Sequence, residues 1–200
     1  MAIPIKIITL NKRSTEMVEL LEELSLIGLT AETFVAVDGR TNFPALKFGE
    51  QIDQEKSLRW QQVELTSAEV GCYLSHLRLI KEAYHSGLEQ ICVMEDDILP
   101  EPFLADVLEA IENLESECEL VRLMGLKIHR RKVIQSLCDT THLTRPAKGV
   151  CGTQGYVVNR SGMEKIIKLG SSIAEPIDKF YDHFWDTDLE CFCVEPHAIW

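Results

Sequence analysis

The chain has 200 residues, 46% of them hydrophobic and 26% charged, which is the size and make-up of one globular domain and excludes a disordered or collagen-like chain. Thirty-two acids against 20 bases give a formal charge of −12, so a general nucleic-acid binder is excluded because the chain would repel a phosphate backbone. No apolar run approaches the roughly 18 residues that a membrane span requires.

Ile3, Ile5 and Ile7 alternate as in a half-buried strand. Beyond the polar turn at 11–14, Met17, Leu20, Leu21 and Leu24 recur at helical spacing. Thr33–Val37 is a β-rich run stopped by Asp38-Gly39, and residues 40–62 lack periodicity and read as a long loop. Thr66-Ser67-Ala68-Glu69 has the form of a capping box, followed by Val70, Tyr73, Leu74 and Leu77 at helical spacing. Gln90–Met94 is a short apolar run that ends in Glu95-Asp96-Asp97. A Pro-flanked amphipathic helix then carries Phe103, Leu104, Val107, Leu108, Ile111 and Leu114. Leu120–Met124, Tyr156–Val158 and Cys191–Val194 read as strands. Ser161 is the expected N-cap of a short helix that stops at Gly170. Alternating units of this kind predict an α/β sandwich with a mainly parallel sheet, one domain over 1–200.

The first eight residues have no basic segment before a continuous apolar run. With an odd number of cysteines, seven, this predicts reduced, buried thiols and a cytoplasmic setting. Only Cys191 and Cys193 lie close together in the sequence, which argues against a zinc site of paired cysteines. Charge falls in blocks. Residues 82–121 hold twelve acids and no Lys or Arg, and the acidic helix reads as a solvated face. Residues 122–148 hold seven bases and one acid, a candidate site for a nucleotide diphosphate, a phosphorylated lipid or an anionic membrane surface.

Three stretches carry candidate chemistry. Consecutive carboxylates at Glu95-Asp96-Asp97 repel one another unless solvent or a divalent cation screens them, and ligands of α/β sheets bind at strand carboxyl ends. A hard cation such as Mg²⁺ or Mn²⁺ suits oxygen ligands of this kind, and a solvated acidic turn is the other reading. Alternation would send Glu95 and Asp97 to one side and Asp96 to the other. Three glycines within Gly149–Gly155 allow backbone to approach a ligand, and Thr153 and Gln154 offer polar contacts. The ending lacks the Gly-Lys-Ser/Thr of a P-loop. In Glu175–Asp188 acids interleave with aromatic residues, either as a sugar-binding surface with a catalytic carboxylate or as a surface helix whose Phe180 and Phe184 face the core.

The run Glu69-Val70-Gly71-Cys72 followed by Ser75-His76 resembles the signature of glycosyltransferase family 25, the lipooligosaccharide galactosyltransferases of Gram-negative bacteria and the related collagen galactosyltransferases. The resemblance continues in order through 8–11, 37–39, 94–97, 152–156 and 176–178. It implies a GT-A-like nucleotide-sugar-binding fold and a metal-dependent, inverting transfer of galactose from UDP-galactose, in a β-1,4 linkage, to a lipid-linked oligosaccharide of lipooligosaccharide or lipopolysaccharide. Peripheral contact with the inner membrane would follow. The resemblance places Glu95 and Asp97 at the Mn²⁺ or Mg²⁺ and offers His197 as a further ligand. Thr9, Asn11, Arg13 and Asp38 would lie near the nucleotide. Ser75 and His76 would lie near the donor phosphate or hold backbone, and Gly152, Thr153, Gln154 and Gly155 would border the donor sugar. Asp178 is the first choice for catalytic base, ahead of Asp182 and Asp188, with Arg130 or Lys132 helping the departing diphosphate. Family members usually continue beyond the point where this chain ends, at Trp200. The alternatives are a relative that binds nucleotide-sugar or glycan without turnover, and a Mg²⁺-dependent phosphoryl-transfer enzyme.

Overall fold

Strand β1 (Ile5–Thr9) is buried on both faces, with Ile5 and Ile7 in one core and Ile8 in a second. The computed structural model describes residues 2–114, 117–127 and 129–200. The hydroxyl of Ser14 accepts from Met17 N and starts α1 (Thr15–Leu26), which buries Met17, Leu20 and Leu24 and returns the chain to β2 (Ala31–Val35), parallel to β1. Residues 40–62, expected as a loop, contain β3 (Gln51–Ile52) and α2 (Gln54–Gln61). This helix has no apolar stripe, since its one buried residue is Ser57, so periodicity cannot reveal it. The Asp53 carboxylate caps it and Gln62, in the left-handed region, ends it. Helix α3 (Ser67–His85) opens on the expected capping box, with Thr66 Oγ1 accepting from Glu69 N and a Glu69 carboxylate oxygen accepting from Thr66 N.

Strand β4 (Gln90–Glu95) pairs with β1 on the side away from β2, and α4 (Leu104–Glu112) buries the four apolar residues of its stripe. Beyond β5 (Leu120–Arg122), the basic stretch forms an antiparallel hairpin, β6 (Arg131–Cys138) with β7 (Thr141–Pro146). Strand β8 (Gly155–Asn159) leads into α5 (Arg160–Leu169). The cap of α5 is Asn159, whose side chain accepts from Gly162 N, and not the expected Ser161, which lies inside the helix and donates to Glu119. Then follow β9 (Ser172–Ile173), paired with β3, the short helices α6 (Ile177–Asp182) and α7 (Phe184–Thr187), and β10 (Cys191–Glu195).

The main sheet has the order β2-β1-β4-β8-β5-β10-β7-β6. Six of these eight strands run the same way, and β8 and β7 are reversed. This is the expected α/β sandwich, with antiparallel pairings wherever β8 and β7 intervene. Helices α1 and α4 cover one face, and α3, α5 and α6 cover the other. From β1 the chain goes first to one side, as β2, and then to the other, as β4, so the carboxyl ends of β1 and β4 flank a switch point where such sheets bind ligands. Because β8 is reversed, the loop that precedes it arrives at this same edge, with Gly155 opposite Met94. Among the described residues no helix is long and apolar enough to cross a membrane.

Candidate active site

One wall of the cleft depends on close backbone contact. A Cβ on Gly71 would stand 2.8 Å from Gly39 N and from Val37 O, and a Cβ on Gly39 would stand 2.0 Å from Ser67 O. The loop after β2 therefore lies directly on the first turns of α3. Ser75 fixes it there, accepting from Val37 N at 2.8 Å and donating to Gly71 O at 2.7 Å. Ser75 thus holds backbone. Asp38 is exposed, and its carboxylate is held by the Arg40 guanidinium at 3.0 and 2.6 Å, which lowers its pKa to about 2. Between this loop, β1 and α3 lies a cavity of about 270 Å³ lined by Thr9, Val37, Gly39, Arg40, Cys72, His76, Glu95 and Asp96, among others. Asn11 and Arg13 lie beyond the lining, in the turn before α1, where Asn11 Oδ1 accepts from Arg13 N.

A chain of side-chain hydrogen bonds forms the floor. In β4 the residues Ile91 and Val93 face the α3 core, and alternation brings Glu95 to the same face, under His76. His76 is fully buried. Its Nε2 lies 3.2 Å from Glu95 Oε1 and its Nδ1 lies 3.0 Å from the Tyr156 hydroxyl, which in turn lies 3.1 Å from the Tyr181 hydroxyl. Thr153 donates to Glu95 Oε1 at 2.6 Å. Burial pushes the Glu95 carboxyl up, but the His76 ring and the Thr153 hydroxyl hold it below its ordinary value. Burial raises both phenols well above theirs. Strand β4 ends at Glu95 and turns at Asp96-Asp97, so the alternation expected of the three acids stops there. Glu95 and Asp96 share the cavity and Asp97 is exposed. Burial, Glu95 and Asp96 together raise the Asp97 carboxyl.

The glycine-rich loop supplies the third wall. Cys151 and Gly152 both take positive φ, 56° and 84°, so the backbone doubles back on itself. Arg122, 3% exposed, holds this fold: it donates to Gly152 O at 2.5 Å, to Asp178 O at 3.1 Å and to Asp182 Oδ1 at 2.8 Å. Asp182 also accepts from Cys151 N, and a Cβ on Gly149 would overlap its carboxylate. Both Asp182 oxygens are thereby engaged, so this acid, expected as a reserve base, ties the loop to α6. Asp178 is different. Half-buried in the first turn of α6, it accepts from Lys179 N at 2.9 Å and weakly from Gly152 N at 3.4 Å. Its charge reaches Cys72, whose thiol is pushed up to about 12 by enclosure and by the carboxylates of Glu95, Asp178 and Asp97. Asp178 meets the glycine-rich loop at Gly152 N, one residue from the Thr153 that binds Glu95. Lys127 stands beside Cys151, its pKa raised by Cys151 and by Asp182 and Asp178. Gln154 contributes its carbonyl to Glu95 N, while its side-chain oxygen is buried without a partner.

Other expected residues lie elsewhere. Asp188 is exposed, in the left-handed region between α7 and β10, and pairs with Lys165, which also binds Glu119 just before β5. It sits at the amino ends of β5 and β10, the opposite edge of the sheet from Glu95, and cannot reach the cleft. His197 follows β10. Its Nε2 accepts from Gly125 N at 3.4 Å, its ring packs on Trp200, burial lowers its pKa, and its buried Nδ1 has no partner. The basic block is dispersed: Arg122 is buried, Arg131 pairs with Glu195 and Arg145 with Glu190, and Lys132 lies on the edge strand β6, beyond β7 and β10 from β5. Lys127, from the start of this block, is the base whose charge is felt at Cys151 and Asp178. All seven cysteines are free, but only Cys92, Cys191 and Cys193 are buried, and Cys72 opens onto the site.

Arg122 and the two tyrosines were the functional neighbours that motif reading passed over. An arginine inside an otherwise apolar strand run was a legible sign of a buried anionic partner, because an unpaired charge there would be prohibitive. The oxygens of Asp96 and Asp97 suit a hard cation by their chemistry, and burial first, then the charges of Glu95 and Asp96, raise the Asp97 carboxyl. Glu95 has one oxygen already engaged by His76 and Thr153.

An acid-lined cleft at the carboxyl edge of a largely co-directional α/β sheet, beside a glycine-rich loop, stands where sheets of this class bind their ligands. The model of glycosyltransferase family 25 (LPS biosynthesis protein) matches residues 2–181, and the chain belongs to this family. It is 24% identical to procollagen galactosyltransferase 1 of Danio rerio over 96% of its own length, and 30% identical to a glycosyltransferase 25 family member of Anopheles gambiae over 98%. It is also 26% identical, over 95% of its length, to the inactive glycosyltransferase 25 family member 3 of Mus musculus. The chain spans about a third of the length of these relatives, 35%, 36% and 35%. A glycosyltransferase involved in glycosylation of the major capsid of PBCV-1 aligns with a TM-score of 0.41 at 10% identity, over 92% of this chain and 67% of that one.

Proposed function

We propose that this chain is a glycosyltransferase domain that moves a hexose, galactose in the most specific form of the reading, from a UDP-sugar to a saccharide hydroxyl with inversion. The observation that carries the reading is the acidic end of β4 bound to the glycine-rich loop through Thr153 and Glu95, with Asp178 on Gly152 N of the same loop, in a chain of this family. The uridine would lie in the cavity walled by Thr9, Gly39 and Arg40, and the sugar against Thr153. Asp97 and Asp96, with Glu95 beside them, would hold a Mn²⁺ or Mg²⁺ ion, which when bound supplies charge to stabilise the diphosphate leaving group. Asp178 takes the proton from the acceptor hydroxyl as its oxygen bonds to the anomeric carbon and the bond from that carbon to the UDP oxygen breaks. Among the described residues its carboxylate accepts only two backbone N–H groups and, unlike that of Asp182, is not held by the Arg122 guanidinium. Lys127 meets the departing phosphate from the rim.

A lipid-linked oligosaccharide at the cytoplasmic face of the inner membrane remains our choice of acceptor, with a β-1,4 linkage. The test is a panel of UDP-sugars with Mn²⁺ against lipooligosaccharide-type and collagen-type acceptors, with the product linkage read by NMR. Asp97→Ala should abolish transfer, and Asp178→Asn should lower kcat by about 10²–10⁴-fold while UDP binding persists. Full turnover in either variant refutes its assigned role. UDP binding by calorimetry without product from any acceptor would instead favour a binding domain, a reading prompted by the relative named inactive.

A further inference from the structure

Paired-cysteine spacing gave no zinc site, yet the fold assembles a different donor set. Cys72 and His76 are four apart on α3 and project from the same side of it, and Glu95 at the end of β4 faces them. One ligand atom from each, sulfur, imidazole nitrogen and carboxylate oxygen, lies within 4.8 Å of the others. Ligand atoms around a tetrahedral ion with zinc bond lengths stand about 3.3–3.7 Å apart, so a small inward rotation of the exposed Cys72 closes the set. The second layer is also in place. With the Tyr156 hydroxyl donating to Tyr181, its oxygen accepts from His76 Nδ1–H, so the ion takes the place of the proton between His76 Nε2 and Glu95 Oε1. Thr153 steadies the Glu95 carboxylate by donating to its Oε1.

We propose that Cys72 Sγ, His76 Nε2 and a Glu95 oxygen form a binding site for Zn²⁺, with a fourth position open to the cleft. Sulfur and imidazole select zinc over the hard ions that suit the all-oxygen pair Asp96 and Asp97, so the two sites take different metals. On binding, Cys72 Sγ and His76 Nε2 each release a proton to solvent, and Cys72 ligates as thiolate. If the transferase reading holds, zinc here inhibits by taking Glu95 and occupying the cavity floor. The binding itself does not depend on that reading.

The test uses the whole chain, made metal-free, with Zn²⁺ titrated against a chromophoric chelator and Co²⁺ as a spectroscopic probe. One Zn²⁺ per chain should bind, and the Co²⁺ form should show an intense thiolate-to-cobalt charge-transfer band in the near ultraviolet. Cys72→Ser should remove that band and weaken Zn²⁺ at least tenfold. Glu95→Gln should weaken Zn²⁺ at least tenfold, more than loss of an outer-shell partner would, while the band remains because the thiolate is still in place. Cys138→Ser, on the edge strand β6, should change neither. Circular dichroism confirms that each variant is folded. Absence of the band in the parent chain, or its survival in folded Cys72→Ser, overturns the proposal. Sugar transfer measured without zinc tests the enzyme reading separately, so failure of one leaves the other standing.

Discussion

Arg122 and Asp182 meet at 2.8 Å with almost no access to water, and each neutralises a charge the other cannot shed. Arg122→Met leaves Asp182 buried and unpaired and frees Gly152 O and Asp178 O. It should destabilise the chain by roughly 3–5 kcal/mol, read from the urea midpoint. At this scale acidity is also predictable. Burial raises the carboxyls of Glu50, Glu95 and Glu119, but Arg78, His76 and Lys165 respectively outweigh it, and all three lie below their ordinary 4.5. As pH falls, the unfolded chain takes up these protons first. The stabilisation they give is therefore present above about pH 4.5 and lost as pH drops through the lower folded values. Urea midpoints should hold from pH 7 to 5 and then fall steeply. A midpoint that is flat down to pH 3.5 would contradict the assignments.

Two glycines set the geometry between elements. Gly71→Ala would drive a methyl into Gly39 N and Val37 O, and Gly39→Ala would meet Ser67 O, with backbone and not a flexible side chain as the obstacle in each case. Either change should cost about 1–3 kcal/mol and push the 37–40 loop off α3, so UDP affinity should fall together with stability. Thr66→Ala removes half of the capping box at the same helix and should cost about 1 kcal/mol without altering the cleft. Comparing the two variants by calorimetric UDP binding separates loss of helix stability from loss of the wall. Element boundaries were legible where local chemistry announces them, as at Thr66 and at the β4 run. Helix α2 was not, because it buries no apolar stripe, and the cap of α5 went to Asn159 over Ser161 because a residue two positions later is already helical.

Across the whole molecule, charge that looks continuous in sequence is divided by the sheet. The β6–β7 hairpin carries Arg131 and Arg145 to the sheet's outer edge, each with its own glutamate, while Arg122 stays at its centre. Arg131→Ala with Arg145→Ala should therefore change stability by no more than about 1 kcal/mol, because both pairs are largely solvated, and should leave UDP binding intact. A large loss in either measurement would place the hairpin in the binding surface after all.

The sequence by itself determined the α/β class, the capping box and the acidic end of β4, since periodicity, caps and charge crowding are local properties. Only the tertiary structure decided which acids share a space. The reversed β8 brings Thr153 and Tyr156 to Glu95 and His76, and the course of the chain after α7 carries Asp188 to the far edge. Residues 19 to 80 positions apart become hydrogen-bond partners through strand direction and helix placement, and no spacing along the chain encodes those.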